Sequence, residues 1–240
     1  KIHYLFLLFT MVTLLTVLPA IGFAQSFTST NEQTTSWDAP ATWTGSPSAS
    51  FLAGNPDVSG SNIFIEGTVS TAGFLTVSVN NVNINVQAGD TLIINGSLNI
   101  SNGGALNLHV YSGGYFFLLG DFNIDAGGIA DFNLTNDSFF GVRGNYTEYG
   151  SATGGLNSIK GEFIIGTVNG TNAIKCSSSN YPSTCEVGNR DALIALASPS
   201  TRKILLGVQA LGASCAVSPA ITCNGGTGAI TATASGGSYN

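Results

Sequence analysis

Along residues 82–148, apolar residues occupy every second position in short runs, and the runs recur at an offset of 24. Val82, Ile84 and Val86 are followed by Leu106, Leu108 and Val110, and then by Ala130, Phe132 and Leu134. The same offset carries Leu92 and Ile94 to Phe116 and Leu118 and on to Phe140 and Val142, and Leu98 and Ile100 to Phe122 and Ile124 and on to Tyr146 and Glu148. Gly96, Gly120 and Gly144 form one glycine column, and Gly103-Gly104 recurs as Gly127-Gly128. Alternation is the period of a strand with one buried face, and Gly and Asn mark where the backbone turns. Three such strands per repeat predict an all-β chain, a right-handed parallel β-helix with about 24 residues per turn, in which side chains stack in columns about 4.8 Å apart. A β-sandwich would also explain short alternating strands, but nothing in it demands a constant offset over three successive runs.

The pattern changes at both ends. Lys1 and the apolar run to Ile21, broken by Pro19 and closed by Gly22-Phe23-Ala24, read as an export signal over 1–24, with a mature chain starting at Gln25. The first residue is not Met, so the beginning is expected to be clipped. Residues 25–56 are polar with two tryptophans, Trp37 and Trp43, expected to cap the open first turn of a β-helix that spans 57–212. Phe74 lies 24 before Leu98, which extends the period backwards; Glu148 ends a column of isoleucines, and the glycine-rich stretch 151–155 calls for a longer or irregular turn before Phe163-Ile164-Ile165 resumes a strand. The runs 193–196 and 204–206 are expected to be terminal strands closing the second end, with one short helical turn near Asp191.

Composition narrows the class. With 31 Gly and 8% charged residues a helical bundle is disfavoured, and without Lys1 the chain has 6 bases against 13 acids, 6 − 13 = −7, which argues against nucleic acid as a partner. Four cysteines, Cys176, Cys185, Cys215 and Cys223, suit an exported chain with two disulfides, of which the local pairs Cys176–Cys185 and Cys215–Cys223 require the least rearrangement. Four cysteines allow three connectivities, and a zinc site is the rival reading, disfavoured because no His lies near.

The final stretch, 213–240, resembles the opening of the SprB-type repeat of surface adhesins from gliding Bacteroidetes, through Cys223, Gly226, Gly228, Gly236, Gly237 and Tyr239. The aromatic strand that finishes such a repeat is absent, so the chain reads as part of a longer polypeptide. The resemblance implies an exported multi-domain surface protein carried out by the type IX system.

Catalysis on a solenoid needs carboxylates gathered on neighbouring turns. Here Asp121 stands between Ser97 and Asn145, Asp125 between Ser101 and Tyr149, and Asp131 beside Asn107. Asp121 and Asp125 share one strand region, with Arg143 and Lys160 the nearest cations; they are the alternative reading, a carbohydrate-active β-helix or glycan-binding module. His109 points outward with no partner for a metal or a triad. An outward apolar stripe, Ile93, Phe117 and Gly141 beside Tyr115 and Phe139, is either covered by the segment 186–212 or a ligand-binding strip at Tyr115, Phe117 and Phe139. Asn81, Asn83, Asn85, Asn107 and Asn133 form an outward row able to hydrogen-bond between turns. The sum is a secreted or surface-displayed, non-catalytic structural or adhesive module without cofactor, whose partners are extracellular polysaccharide or surface proteins, with no membrane contact beyond the cleaved signal.

Overall fold

The computed structural model describes residues 24–30, 35–135, 137–149, 156, 159, 161–176, 185–206, 212–218 and 229–235. Residues 1–23 of the export signal, Lys160 and Cys223 lie outside these residues. No helix among them is long and apolar enough to cross a membrane.

An irregular first coil contains β1 (Ser26–Thr28), β2 (Thr35–Ser36) and the short helix α1 (Ala49–Leu52). Regular coils follow: β3 (Asn62–Ile65), β4 (Thr68–Thr71) and β5 (Leu75–Val77); β6 (Val82–Val86), β7 (Thr91–Ile94) and β8 (Leu98–Ile100); β9 (Ala105–Val110), β10 (Tyr115–Leu118) and β11 (Phe122–Ile124). In the next coil β12 (Ile129–Leu134) takes the first face, and one long strand, β13 (Phe139–Glu148), serves the other two. All pairings between these coils are parallel, so the chain is a three-faced β-solenoid.

The registers are those the period predicts. Leu108 pairs with Ile84 before it and Phe132 after it, and Phe116 lies between Leu92 and Phe140. Every inward residue of these columns is buried. Towards the later coils the columns become aromatic: the rings of Phe116 and Phe140 stack at 5.2 Å, and Phe132 packs against Phe122 and Phe140 at 5.5 and 5.3 Å. The earliest coil is shorter, and there one expectation fails. Leu75, not Phe74, faces Leu98, an offset of 23, so Leu75 is buried and Phe74 is 54% exposed.

The glycine column is a corner where backbones touch. Gly96 N–H donates to Gly73 O, Gly120 N–H to Gly96 O and Gly144 N–H to Gly120 O, at 3.0, 3.0 and 3.2 Å. A Cβ on Gly96 or Gly120 would lie 2.6 Å from the carbonyl carbon of the glycine one coil earlier, which leaves no room for any other residue. Just after this corner a second chain of bonds runs: Asp121 N–H donates to Ser97 Oγ at 3.1 Å, and Asn145 N–H to Asp121 Oδ1 at 2.8 Å.

The Asn row also bonds between coils, although its columns are more mixed than expected. Asn107 donates to Asn83 Oδ1 at 2.9 Å, and a second ladder joins Asn123 to Asn99 at 2.9 Å. Asn133 stacks on His109 rather than on another Asn. Outward polar groups thereby hold coil to coil while the inward columns fill the core.

Each end is closed differently. In the first coil, Phe27, Trp37, Trp43 and Phe51 form a buried aromatic plug, with Trp37 and Phe51 rings 4.9 Å apart. Trp37 Nε1–H donates to Phe51 O and Trp43 Nε1–H to Trp37 O, both at 2.8 Å, so neither indole has a free edge or face for a sugar. At the far end β14 (Glu162–Val168) stacks on β13 with Phe163 beside Phe140, an offset of 23, and the register shifts after Val142, so this turn is irregular, as expected, without being longer. The chain then reverses. Asn169 and Gly170 both adopt positive φ, 48° and 71°, the hairpin turn that Asn-Gly favours. β15 (Ala173–Cys176) returns antiparallel, and β16 (Cys185–Gly188) pairs with it, with Cys176 opposite Cys185 in a disulfide.

The apolar runs expected as closing strands are helices, α2 (Arg190–Ala195) and α3 (Pro199–Leu206). α2 buries Leu193 and Ile194, α3 buries Thr201 and Leu205 four apart, and both helices start on a polar cap: Asn189 Oδ1 accepts from Asp191 N–H, and Ser198 Oγ from Thr201 N–H. They cover the flank, not the end. Phe117, Phe139, Ile164, Ile194, Ala197 and Leu205 form a second core outside the coil wall. Gly141 leaves a notch there, since a Cβ on it would lie 3.1 Å from Leu205 Cδ2. Beyond the solenoid, β17 (Gly212–Ser218) and β18 (Ala229–Ser235) pair antiparallel. The second strand coincides with the alternating run of the C-terminal repeat, and Cys215 lies on the first.

Gly120→Ala is expected to cost about 2–3 kcal/mol in urea unfolding, whereas Gly73→Ala, at the open start of the same column with nothing within 4 Å of its Cβ, should be near neutral. Phe117→Ser, at 1% exposure, is expected to cost about 3–5 kcal/mol, and Tyr115→Ser, at 37%, much less; equal losses at the two positions would contradict coverage by the helices.

Candidate functional site

Two surfaces were candidates from sequence, and the fold treats them in opposite ways. The stripe of Tyr115, Phe117 and Phe139 is covered: Phe117 and Phe139 are buried beneath α2 and α3, and only Tyr115 reaches solvent, at the rim, 6.1 Å from the Phe117 ring. An open binding strip is therefore corrected to an internal packing layer. The cause is that both faces of β10 are apolar and the second face had to be buried.

The second surface opens at the glycine corner, where the hairpin turns away from the coils. A polar cleft of about 630 Å³ lies there. Its floor is the corner backbone at Gly144 and Gly166, with Asp121 and Arg143 on the coil side. Its opposite wall is the hairpin turn at Thr171 and Asn172 and the entry to α2 at Asn189, Arg190 and Asp191. Asp121 and Arg143, the acid and base of the alternative reading, thus share one cavity, while Asp125 is not in its lining.

The hydrogen bonds sort this lining into supports and free groups. Asn145 is fully engaged: its Oδ1 accepts from Thr167 Oγ1 and from Gly170 N–H, each at 2.8 Å, which ties the corner to the hairpin. Asn189 is occupied as the cap of α2. Arg190 Nε is paired with Asp191 Oδ1 at 2.8 Å, an exposed contact of little energetic weight. Asp121 accepts from Asn145 N–H through Oδ1, and no hydrogen bond to its other carboxylate oxygen occurs among the described residues. Arg143 is half-buried, and its guanidinium makes no ion pair or side-chain hydrogen bond among the described residues.

Of the far wall the sequence reading expected only the helical turn near Asp191, which is the entry to α2, although the other local signals were present. Asn169-Gly170 is the strongest short-range hairpin signal, and Asn189 before an apolar helical run is an N-cap. His109 is half-buried beside Asn133, and no group of three metal-binding side chains occurs among the described residues. Cys176–Cys185 bridges the hairpin strands, whereas the pairing of Cys215 with Cys223 involves a residue outside the described ones. Comparisons with protein-family models, with curated proteins and with solved structures return no match.

Proposed function

We propose that this chain is an exported, non-catalytic β-solenoid module with a structural and adhesive role at the cell surface. The observation that carries the reading is where the outward polar groups go. Asn83 with Asn107, Asn99 with Asn123, and Ser97 with Asp121 and Asn145 bond from coil to coil, so the outer surface contributes to the cohesion of a rod. Outward acids sit over amides and hydroxyls rather than over other acids, so the paired carboxylates of a glycosidase have no counterpart in these columns. The Cys176–Cys185 disulfide suits an oxidising compartment outside the cytoplasm, in keeping with the export signal read from residues 1–24. The resemblance of the C-terminal stretch to a SprB-type repeat supports a place in a larger surface protein of Bacteroidetes type.

A second reading, a polysaccharide-cleaving β-helix, draws on the cleft that unites Asp121 and Arg143. The two separate in one experiment. The full chain, expressed in a bacterium with an oxidising periplasm, is incubated with a panel of immobilised acidic polysaccharides. The expected outcome is a secreted product beginning at Gln25 that is retained on at least one polysaccharide and releases no unsaturated or shortened sugars. Release of such products would replace the adhesive reading with the enzymatic one.

A further inference from the structure

We propose that the corner cleft binds the carboxylate-bearing sugar of an acidic polysaccharide, with Arg143 holding the carboxylate and Asp121 accepting a ring hydroxyl. This rests on the adhesive reading above and names its site and ligand class. The cleft volume of about 630 Å³ is that of a small-ligand site. Its lining side chains are mostly polar, and its floor is bare backbone, because a Cβ on Gly166 would collide with Arg143 O. An apolar ligand would gain little there.

The formal charges of the lining cancel, two arginines against two aspartates, so a multiply charged phosphate or sulfate cluster has no excess of positive charge to meet. A single carboxylate set among hydroxyls matches the groups left free. Arg190 shares its charge with the adjacent Asp191 through Nε, whereas the half-buried Arg143 guanidinium has no acidic partner among the described residues, and a planar fork pairs with a carboxylate through two parallel bonds. The unused oxygen of Asp121 can accept a hydroxyl but would repel a second anion. Asn172 and Thr171 supply an amide and a hydroxyl from the opposite wall. Thr171 Oγ1 already donates to Val168 O at 2.6 Å, so towards a ligand it acts as an acceptor. The supports are rigid: Asn145 and the hairpin turn fix the distance between the two walls.

The test is calorimetric titration of the full chain with a linear hexuronate oligomer, its methyl ester and a neutral hexose oligomer of the same length. Binding is expected for the free acid alone. Arg143→Ala is expected to weaken it roughly ten- to hundredfold, the range for losing hydrogen bonds to a charged group, with Arg143→Lys in between. Asn172→Asp, at an exposed turn position, should weaken binding without changing the unfolding transition, and so covers the case that Arg143→Ala misfolds. Equal binding of the ester or the neutral oligomer, or unchanged binding by both Arg143→Ala and Asn172→Asp, would overturn the site. Immobilised polysaccharides retaining these two variants as well as they retain the unchanged chain would leave the adhesive role standing and place its surface elsewhere. Failure of the unchanged chain to bind any of the panel would remove the adhesive reading and this site with it.

Discussion

In a coiled parallel stack no inward side chain is placed independently, because each must fit over the one a coil earlier and under the one a coil later. Leu108 between Ile84 and Phe132 is one instance, and the same condition holds for each column of the interior. The condition bears on the corners as much as on the strands. At Gly73, Gly96, Gly120 and Gly144 successive backbones come close enough to hydrogen-bond directly, and from Gly96 onward a side chain would strike the coil below. Glycine is needed there for its lack of a Cβ, a different demand from the positive φ of Gly89, Gly103 and Gly127 at the other turns.

A stack of this kind propagates until something interrupts it, and an open end would expose unpaired backbone and apolar side chains. The first coil meets this with four aromatic rings, of which the two indoles have their N–H groups satisfied internally. The last meets it with a change of direction: the Asn169-Gly170 turn makes β15 and β16 antiparallel, and a disulfide bridges the strand pair. That reversal has two consequences. It leads the chain into α2 and α3, which cover the apolar flank, and it holds the hairpin turn across the glycine corner, which creates the cleft. Closure of the fold and the candidate binding site therefore come from the same few residues.

The solenoid was legible between 82 and 148 because the period is constant there, so alternation and offset could be read together. It was less legible earlier, where the offset falls to 23 at Leu75 and to 21 at Ile63, and Phe74 was given the inward place that Leu75 holds. A helical turn near Asp191 was expected and is the start of α2, but the apolar runs themselves read as strands because they are short enough to pass for buried ones; the deciding signals were Asn189 and the Ser198-Pro199 start, which lie outside the runs. Coverage of Phe117 by the segment 186–212 followed from an apolar residue on the outer face, and only the helical form of that cover was missed. For the cleft, sequence brought Asp121 and Arg143 into one region, being one coil apart. Its opposite wall rests on a chain reversal that no 24-residue period contains.

Core, corners and cleft all require side chains one period apart to lie directly above one another. Cysteines introduced at Asn83 and Asn107, outward neighbours in β6 and β9, test this most directly, with Asn83 and Asp131, two coils apart, as the companion pair. Cα atoms on adjacent strands lie about 5 Å apart, within disulfide range, and those two strands apart lie about 10 Å away, beyond it. Under mild oxidation a disulfide is expected between positions 83 and 107 by peptide mapping and none between 83 and 131. Absence of the first bond, or equal formation of both, would contradict the stack.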